Sequence, residues 1–421
     1  MLIGIGVLIV IGAIYLLVKQ YETRMVLFCA GVLMALIAGN PLAAFDAFAK
    51  NMVSGGLIQA ICSVMGFAIV MKVTACDKHL IHFMAGALTR FRMVLIPGAT
   101  LATFAINIAL PSAAGTSAAV GAIFIPILIS AGVHPATAAT AVFAGTFGSM
   151  LNPGLAHNPF VAKIAKVGVM DVIAVHSTAD IVSVLIAALS VTVVAIVLKE
   201  NKGYVGVESE KGLKTEEAMK VNILYAIVPI IPIVLLMLGA MGIVPVLKKL
   251  GVPHAMLIGA MIGAAVTRTN PATVSKSFFQ GMGDAFGNIF GIIIAAGTFV
   301  SGMQAIGLVG AFIKMLVSST GIVKVAATFG PFLLAIVAGS GDAAAFAFNE
   351  AVTPHAPEMG LSIINMGSIA TLGGALGRTM SPIAGAAIIC ASIAGVNPME
   401  LAKRNAPGMI IAVIVSMFIL L

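Results

Sequence analysis

The chain has no tryptophan, only four cysteines and four tyrosines in 421 residues, and charge on just 9% of its side chains. Each scarcity removes a class of protein. A soluble domain carries about 25% charged residues. A chain at 9%, with 60% hydrophobic residues and a mean hydropathy of +1.14, belongs among integral membrane proteins. Cys29, Cys62, Cys76 and Cys390 share no spacing that would form a disulfide framework. Neither GxSxG nor HExxH occurs, so intramembrane protease chemistry lacks its motifs, and no enzyme is expected. Lys and Arg outnumber Asp and Glu by 23 to 15 but are scattered singly between apolar runs. With no basic stripe, nucleic acid is excluded, and the excess fits anchoring of cytoplasmic loops.

What is present is apolar and interrupted. At about 20 residues per helical pass, the hydrophobic content sets a ceiling of roughly twelve passes. The predicted fold is an all-α polytopic membrane protein of roughly ten to twelve spans and two re-entrant hairpins. In the first half, apolar runs cover 1–18, 25–39, 57–73, 93–110, 118–131, 136–151, 155–170 and 179–198. Several are too short to cross a bilayer, which predicts half-helices buried in protein. The first run has no basic leader and no small-residue cleavage site, so it reads as a first span. Tyr15, Tyr21, Tyr204 and Tyr225 fall near span ends, as interfacial anchors do.

One long polar stretch stands out, residues 199–220, with five Lys and five Glu. It reads as a cytoplasmic linker between a first transmembrane repeat, 1–198, and a second, 221–421. Ser112 and Ser340 lie 228 residues apart, and the same offset pairs Pro126 with Pro354 and Gly132 with Gly360. At 229, Gly148 meets Gly377 and Pro153 meets Pro382; at 231, Gly66 meets Gly297 and Phe48 meets Phe279. Repeated halves with Gly- and Pro-broken segments at matching positions are the mark of a secondary transporter whose site lies where the repeats meet. The repeats are expected to be inverted, each with a re-entrant hairpin and a broken helix, although Lys and Arg counts on the two sides do not fix the topology.

Four segments break the apolar pattern with small polar residues: Leu110–Ser117, Gly148–Pro153, Gly339–Asp342 and Gly377–Pro382. Breaks at membrane depth free backbone groups that hydrocarbon cannot satisfy. Helix N-termini that follow them suit an anion, and unwound carbonyls with Ser, Thr and Asn oxygens suit a cation. The candidate substrate-binding residues are therefore Ser112, Gly115, Thr116, Ser117, Ser149, Asn152, Ser340, Gly341, Asp342, Arg378, Thr379 and Ser381. Arg378 is the only charge between Met359 and Met399. At a helix centre it costs about 2.5–3.5 kcal/mol, so it faces a wet cavity or a paired anion. Its planar fork suits a carboxylate; a structural ion pair with Asp342 or Glu350 is the competing reading. Asp342 and Glu350 are the proton-coupling candidates. Asn107, Asn152, His157 and Asn158 are further polar candidates, and Asn152 ranks first because it sits in a break. Cys76, Asp77, His79 and His82 share a helical stretch but lack a second cluster, so no metal is expected.

The stretches GMGDAFGN at 281–288, SGDAAAFAFNE at 340–350 and LGRTMSP at 376–382 resemble the DcuC family of anaerobic C4-dicarboxylate carriers. The resemblance implies a multi-pass secondary carrier of the bacterial inner membrane for succinate, fumarate or malate, without a cofactor and coupled to H+ or Na+ or working by exchange. It also implies the wider ion-transporter superfamily, with inverted repeats, paired hairpins and a homodimeric assembly. Ser340, Arg378, Thr379 and Ser381 fall on the family's polar breaks, and Asp342 stands where its Ser-Gly-Asn-like tip is expected. Two other readings stay open: a membrane subunit fed by a separate organic-acid binding protein, and an anion channel.

Overall fold

The computed structural model describes residues 2–19, 21–53, 55–89, 94–204, 219–317 and 320–421. Most of the charged linker, 205–218, lies outside the described residues, as does Arg90. The described residues form helices and connecting turns, with no strand among them. Among the described residues six helices are long and apolar enough to cross a membrane: Gly55–Val73, Ala113–Ser130, Val169–Val197, Ile223–Ala240, Pro271–Ala305 and Pro398–Leu420. Six shorter apolar helices accompany them, among them Leu95–Ala109, Ile322–Ala338 and Gly385–Ala394. The chain is thus a multi-pass membrane protein. Pro and Gly cut the apolar runs into pieces, so among the described residues the expected roughly ten to twelve spans correspond to six long helices and six shorter ones.

The run placed at 179–198 is the clearest difference. The helix there starts ten residues earlier, at Val169, and runs 29 residues to Val197. The left-handed Lys166 ends the preceding helix, and Gly168 opens the new one with Asp171 accepting from its N–H. His176 and Asp180 consequently lie inside a long helix, on its buried face. Val169–Val197 packs along Pro398–Leu420, and Ser183 and Ser416 share a 2.9 Å hydrogen bond between them.

The centre is built from small residues. Helix Pro135–Ala144, made of Ala, Thr, Val, Phe and Pro, is buried at every position. It packs between Leu95–Ala109, Ala113–Ser130 and Gly385–Ala394, as small residues at membrane helix interfaces permit. At two points the backbones touch. A Cβ on Gly148 would lie 2.0 Å from the Phe104 carbonyl oxygen, and one on Gly377 would lie 2.1 Å from that of Phe332. No side chain fits at either place.

The start of the linker is pinned. The Glu200 carboxylate takes hydrogen bonds from Arg404 Nε at 2.8 Å and Nη2 at 2.5 Å, and another from the Thr137 hydroxyl. Burial pushes the Glu200 carboxyl up, but these donors outweigh it and hold it below the ordinary value. The folded pKa is therefore the lower one. The stabilisation is complete above the ordinary glutamate value of 4.5 and is lost as pH falls through the folded value. Melting curves across that acid range should show the loss in the native protein and not in Glu200→Gln. Gly148→Ala and Gly377→Ala should each cost about 1–3 kcal/mol by overpacking. Gly12→Ala, with no neighbouring atom within 4 Å of the added carbon, should leave the melting temperature of the detergent-purified protein unchanged.

Candidate functional site

The breaks set the site. Helix Leu95–Ala109 ends where Leu110 and Ser112 turn extended around Pro111. Asn107 closes this break: its Nδ2 donates to the Leu110 carbonyl and to Thr116 Oγ1, each at 3.0 Å, and its Oδ1 accepts from Ser149 N–H at 2.8 Å. One buried amide thus joins two broken segments. In the second, Asn152 Nδ2 donates to the Ile108 carbonyl at 2.7 Å and Oδ1 accepts from Gly154 N–H at 2.8 Å. Asn158 Nδ2 donates to the carbonyls of Met150 and Asn152 at 2.7 and 2.9 Å. Ser381 Oγ donates to the Ile336 carbonyl, and Asn405 to that of Thr379, each at 2.7 Å.

Between the breaks lies a cavity of about 310 Å3, at the small end of the roughly 300–1,000 Å3 range of small-molecule sites. Four helices point their N-termini at it: Ala113–Ser130 through Ser112 and Ala113, His157–Ala165 through Ala156 and His157, Gly341–Ala351 through Gly341 and Asp342, and Gly385–Ala394 through Gly385 and Ala386. Only Ala113–Ser130 has a side-chain cap, from Ser112 Oγ to Gly115 N–H at 3.1 Å. N-termini of this kind present partial positive charge and N–H donors.

Arg378 borders the same cavity from the end of helix Ile363–Arg378. Its Nη2 donates to the Thr146 carbonyl at 2.9 Å, while its Nη1 is buried without a partner. Asp342 pairs instead with His157, whose Nε2 lies 2.9 Å from Oδ1 and whose ring stacks on Phe346 at 4.1 Å. Among the described residues Arg378 has no ion pair with Asp342 or Glu350; it and Asp342 act on each other only at longer range.

Ser112, Ser149, Gly341, Asp342 and Arg378 border the cavity, and Ser340 stands next to Gly341 at the same helix start. The remaining candidates lie off it. Gly115 serves the Ser112 cap, and Thr116 Oγ1 donates to the Leu110 carbonyl. Ser117 is buried against Cys390. Asn152, Thr379 and Ser381 are buried and bonded to backbone carbonyls. Glu350 is off the cavity, with Lys163 and Lys50 as its charged neighbours. For Thr116, Asn152 and Ser381 the reason is shared: each break releases carbonyls, and the nearest polar side chains satisfy them. Of the further polar candidates Asn107, Asn152, His157 and Asn158, it is His157, ranked below Asn152, that lines the cavity. Thr371, Met65 and Ile289, which no motif marked, also line it.

The sequence profile of the DcuC family, described as C4-dicarboxylate anaerobic carrier, matches residues 1–421. An uncharacterized transporter of Haemophilus influenzae is 44% identical over 274 residues, covering 63% of this chain and 98% of its own. A second from the same organism is 58% identical over 134 residues, 32% of this chain and 92% of its own. The anaerobic C4-dicarboxylate transporter DcuC of Escherichia coli K12 is 23% identical over 446 residues, covering 98% of this chain and 94% of its own.

Asn152→Ala and Ser381→Ala each strip the partner from a buried carbonyl, so each should lower stability by about 1–3 kcal/mol. Substrate affinity of the folded fraction should stay as in the native protein. Thermal melting paired with substrate titration reads both.

Proposed function

This chain belongs to the DcuC family of C4-dicarboxylate anaerobic carriers, and on that premise we propose that it is a secondary active transporter of a small C4-dicarboxylate such as succinate, fumarate or malate. The family is one of carriers, not enzymes. One observation carries the substrate reading: four helix N-termini and a guanidinium with an unpaired nitrogen converge on one cavity of dicarboxylate size. Arg378 takes one carboxylate, bringing Nη1 into a charge-assisted bond. The N-termini at Ser112–Ala113 and Gly341–Asp342 take the other, with Ser149 beside them.

The charge count calls for a companion ion. A dianion entering beside Arg378 and Asp342 leaves the cavity two charges negative when His157 is neutral, which a membrane interior does not tolerate. H+ or Na+ therefore travels with the substrate, or a second dicarboxylate exchanges for it.

Alternating access rests on two inverted repeats, 1–198 and 221–421, joined by the cytoplasmic linker 199–220. Helices begin at Ala113, Pro135, His157 and Val169, and again at Gly341, Ile363, Gly385 and Pro398, a constant 228 or 229 residues later. The Gly148–Phe104 and Gly377–Phe332 contacts follow the same offset. So do the Asn152 and Ser381 bonds to the carbonyls of Ile108 and Ile336. Packing is reciprocal, with Ala113–Ser130 against Gly385–Ala394 and Gly341–Ala351 against His157–Ala165, as a two-fold relation requires. The segments Leu95–Ser130 and Ile322–Ala351 are the two hairpins, tips at the cavity. Placement in the bacterial inner membrane as a homodimer follows the family resemblance.

Reconstituted alone, the protein should catalyse counterflow of labelled succinate and accumulate it uphill; a channel does neither, and a subunit fed by a binding protein needs its partner. Arg378→Ala and Arg378→Lys should both lose counterflow by roughly 10- to 100-fold, the worth of a charged hydrogen bond of about 1.5–3 kcal/mol. A point charge cannot replace the fork. Full uptake by Arg378→Lys would overturn the role.

A further inference from the structure

Helix Val169–Val197 buries an ionisable pair that the cavity does not use. His176 is 1% exposed and Asp180 is 0% exposed, one helical turn apart, with Nδ1 and Oδ2 separated by 2.5 Å. The other ring nitrogen, Nε2, lies 3.1 Å from Asn158 Oδ1. Asn158 fixes the protonation of this set. Its Nδ2 sits against two carbonyl oxygens, Met150 and Asn152, so that atom is the nitrogen and the one facing His176 is the oxygen. An amide oxygen only accepts, so Nε2 carries a hydrogen. The 2.5 Å contact on the far side of the ring then needs a hydrogen too, because a bare Nδ1 and an ionised carboxylate would set two lone pairs against each other. Whether that hydrogen sits on Nδ1 or on Oδ2, the pair holds one proton more than neutral histidine and carboxylate hold between them.

From this we infer that the His176–Asp180 pair is the binding site of the coupling proton, resting on the carrier reading above. The proton holds the broken segment Gly148–Asn158 to the long helix. Asn158 follows His157, and Met150 lines the cavity, so the bonded set runs from Asp180 through His176 and Asn158 to the substrate site. When the proton leaves, Nδ1 and Oδ2 repel, the ring turns, and Asn158 Oδ1 loses its donor. The segment is then free to move away from helix Val169–Val197. The proton lost from the pair passes to water on the side then open, and the reverse step takes one up.

Among the described residues packed on this helix, no other charged group stands in for this proton. Among the elements packed on Val169–Val197, the segments Leu95–Ala109, Pro135–Ala144, Gly148–Leu151 and Ile231–Ala240 contain no ionisable residue. His157–Ala165 brings His157, paired with Asp342, and Lys163, a charged neighbour of Glu350. Ile363–Arg378 brings Arg378, bonded to Thr146. Pro398–Leu420 brings Glu400, Lys403 and Arg404, tied to one another and to Glu200. The charged partner that acts on Asp180 is His176. Asp342 keeps its place beside His157 at the substrate.

Proteoliposomes separate the two readings. Counterflow of labelled succinate tests the carrier; its absence in the native protein sinks the carrier reading itself. With counterflow present, an imposed inward proton gradient without sodium should drive native uptake at least tenfold above equilibrium. Native accumulation that needs sodium and ignores the pH gradient overturns the proton site, whatever the variants do. Asp180→Asn and His176→Gln each keep a hydrogen-bonding group but break the pair that shares the proton, so in each, pH-driven accumulation measured against the variant's own counterflow should fall at least tenfold. Native-level pH-driven accumulation in either variant overturns the assignment. Should one variant fail to elute as folded protein, the other and the native measurement decide.

Discussion

Hydrocarbon offers no hydrogen bonds, and this one constraint orders the centre of the molecule. Breaking four helices at membrane depth leaves carbonyls and N–H groups that only the protein can satisfy. Asn107, Asn152, Asn158 and Asn405 meet the carbonyls, with hydroxyls of Thr116 and Ser381 beside them. The donors at the helix starts are not met in the same way, since three of the four N-termini at the cavity have no side-chain cap. Polar side chains of the chain are spent on acceptors. What remains free at the helix starts is a set of donors, and with the Asp342 carboxylate taken up by His157 these donors and Arg378 favour an anion.

Arg378 sharpens that selection and makes it directional. In the repeat we propose, its first-half counterpart is Ser149, and the counterpart of Asp342 is Ala114. That proposed frame would be symmetric, yet Arg378 and Asp342 both stand on its second half. A dicarboxylate meeting one guanidinium and opposed helix starts has its two ends distinguished. The guanidinium reaches across the halves, because its Nη2 bond goes to the Thr146 carbonyl at the end of the first-half helix Pro135–Ala144. Any motion of one half against the other stretches that bond and reshapes the cavity together.

Gly and Pro at the four breaks, and Arg378 as the only charge between Met359 and Met399, were readable because each violates what a membrane helix prefers. Which polar residue near a break faces the ligand was not readable. Asn152 and His157 are both polar and five residues apart; only the fold shows that Asn152 is consumed by the Ile108 carbonyl while His157 opens a helix at the cavity. Helices Gly55–Val73 and Pro271–Ala305 contribute apolar wall residues with nothing in their sequence to mark them. His176 and Asp180 were missed for another reason. Starting the run at 179 separated them, although their i, i+4 spacing inside one helix would have put them on one face. The positive-φ turn at Lys166, which sets the true start, leaves no reliable trace in residue type.

The depth of that pair bears on how the carrier avoids leaking protons. A titratable group open to one side exchanges freely, and a gradient then runs down without moving substrate. Asp180 is wholly enclosed and its partner nearly so, and in the proton-site reading proposed above their exchange with water waits for Gly148–Asn158 to undock. That segment also supplies Ser149, Met150 and His157 to the cavity wall through its length and its end. Undocking it to release the proton therefore also dismantles one wall of the substrate site. Under the proposed proton site, two ligands held by opposite faces of one segment would not be released independently, and that shared dependence would couple their fluxes without any contact between them.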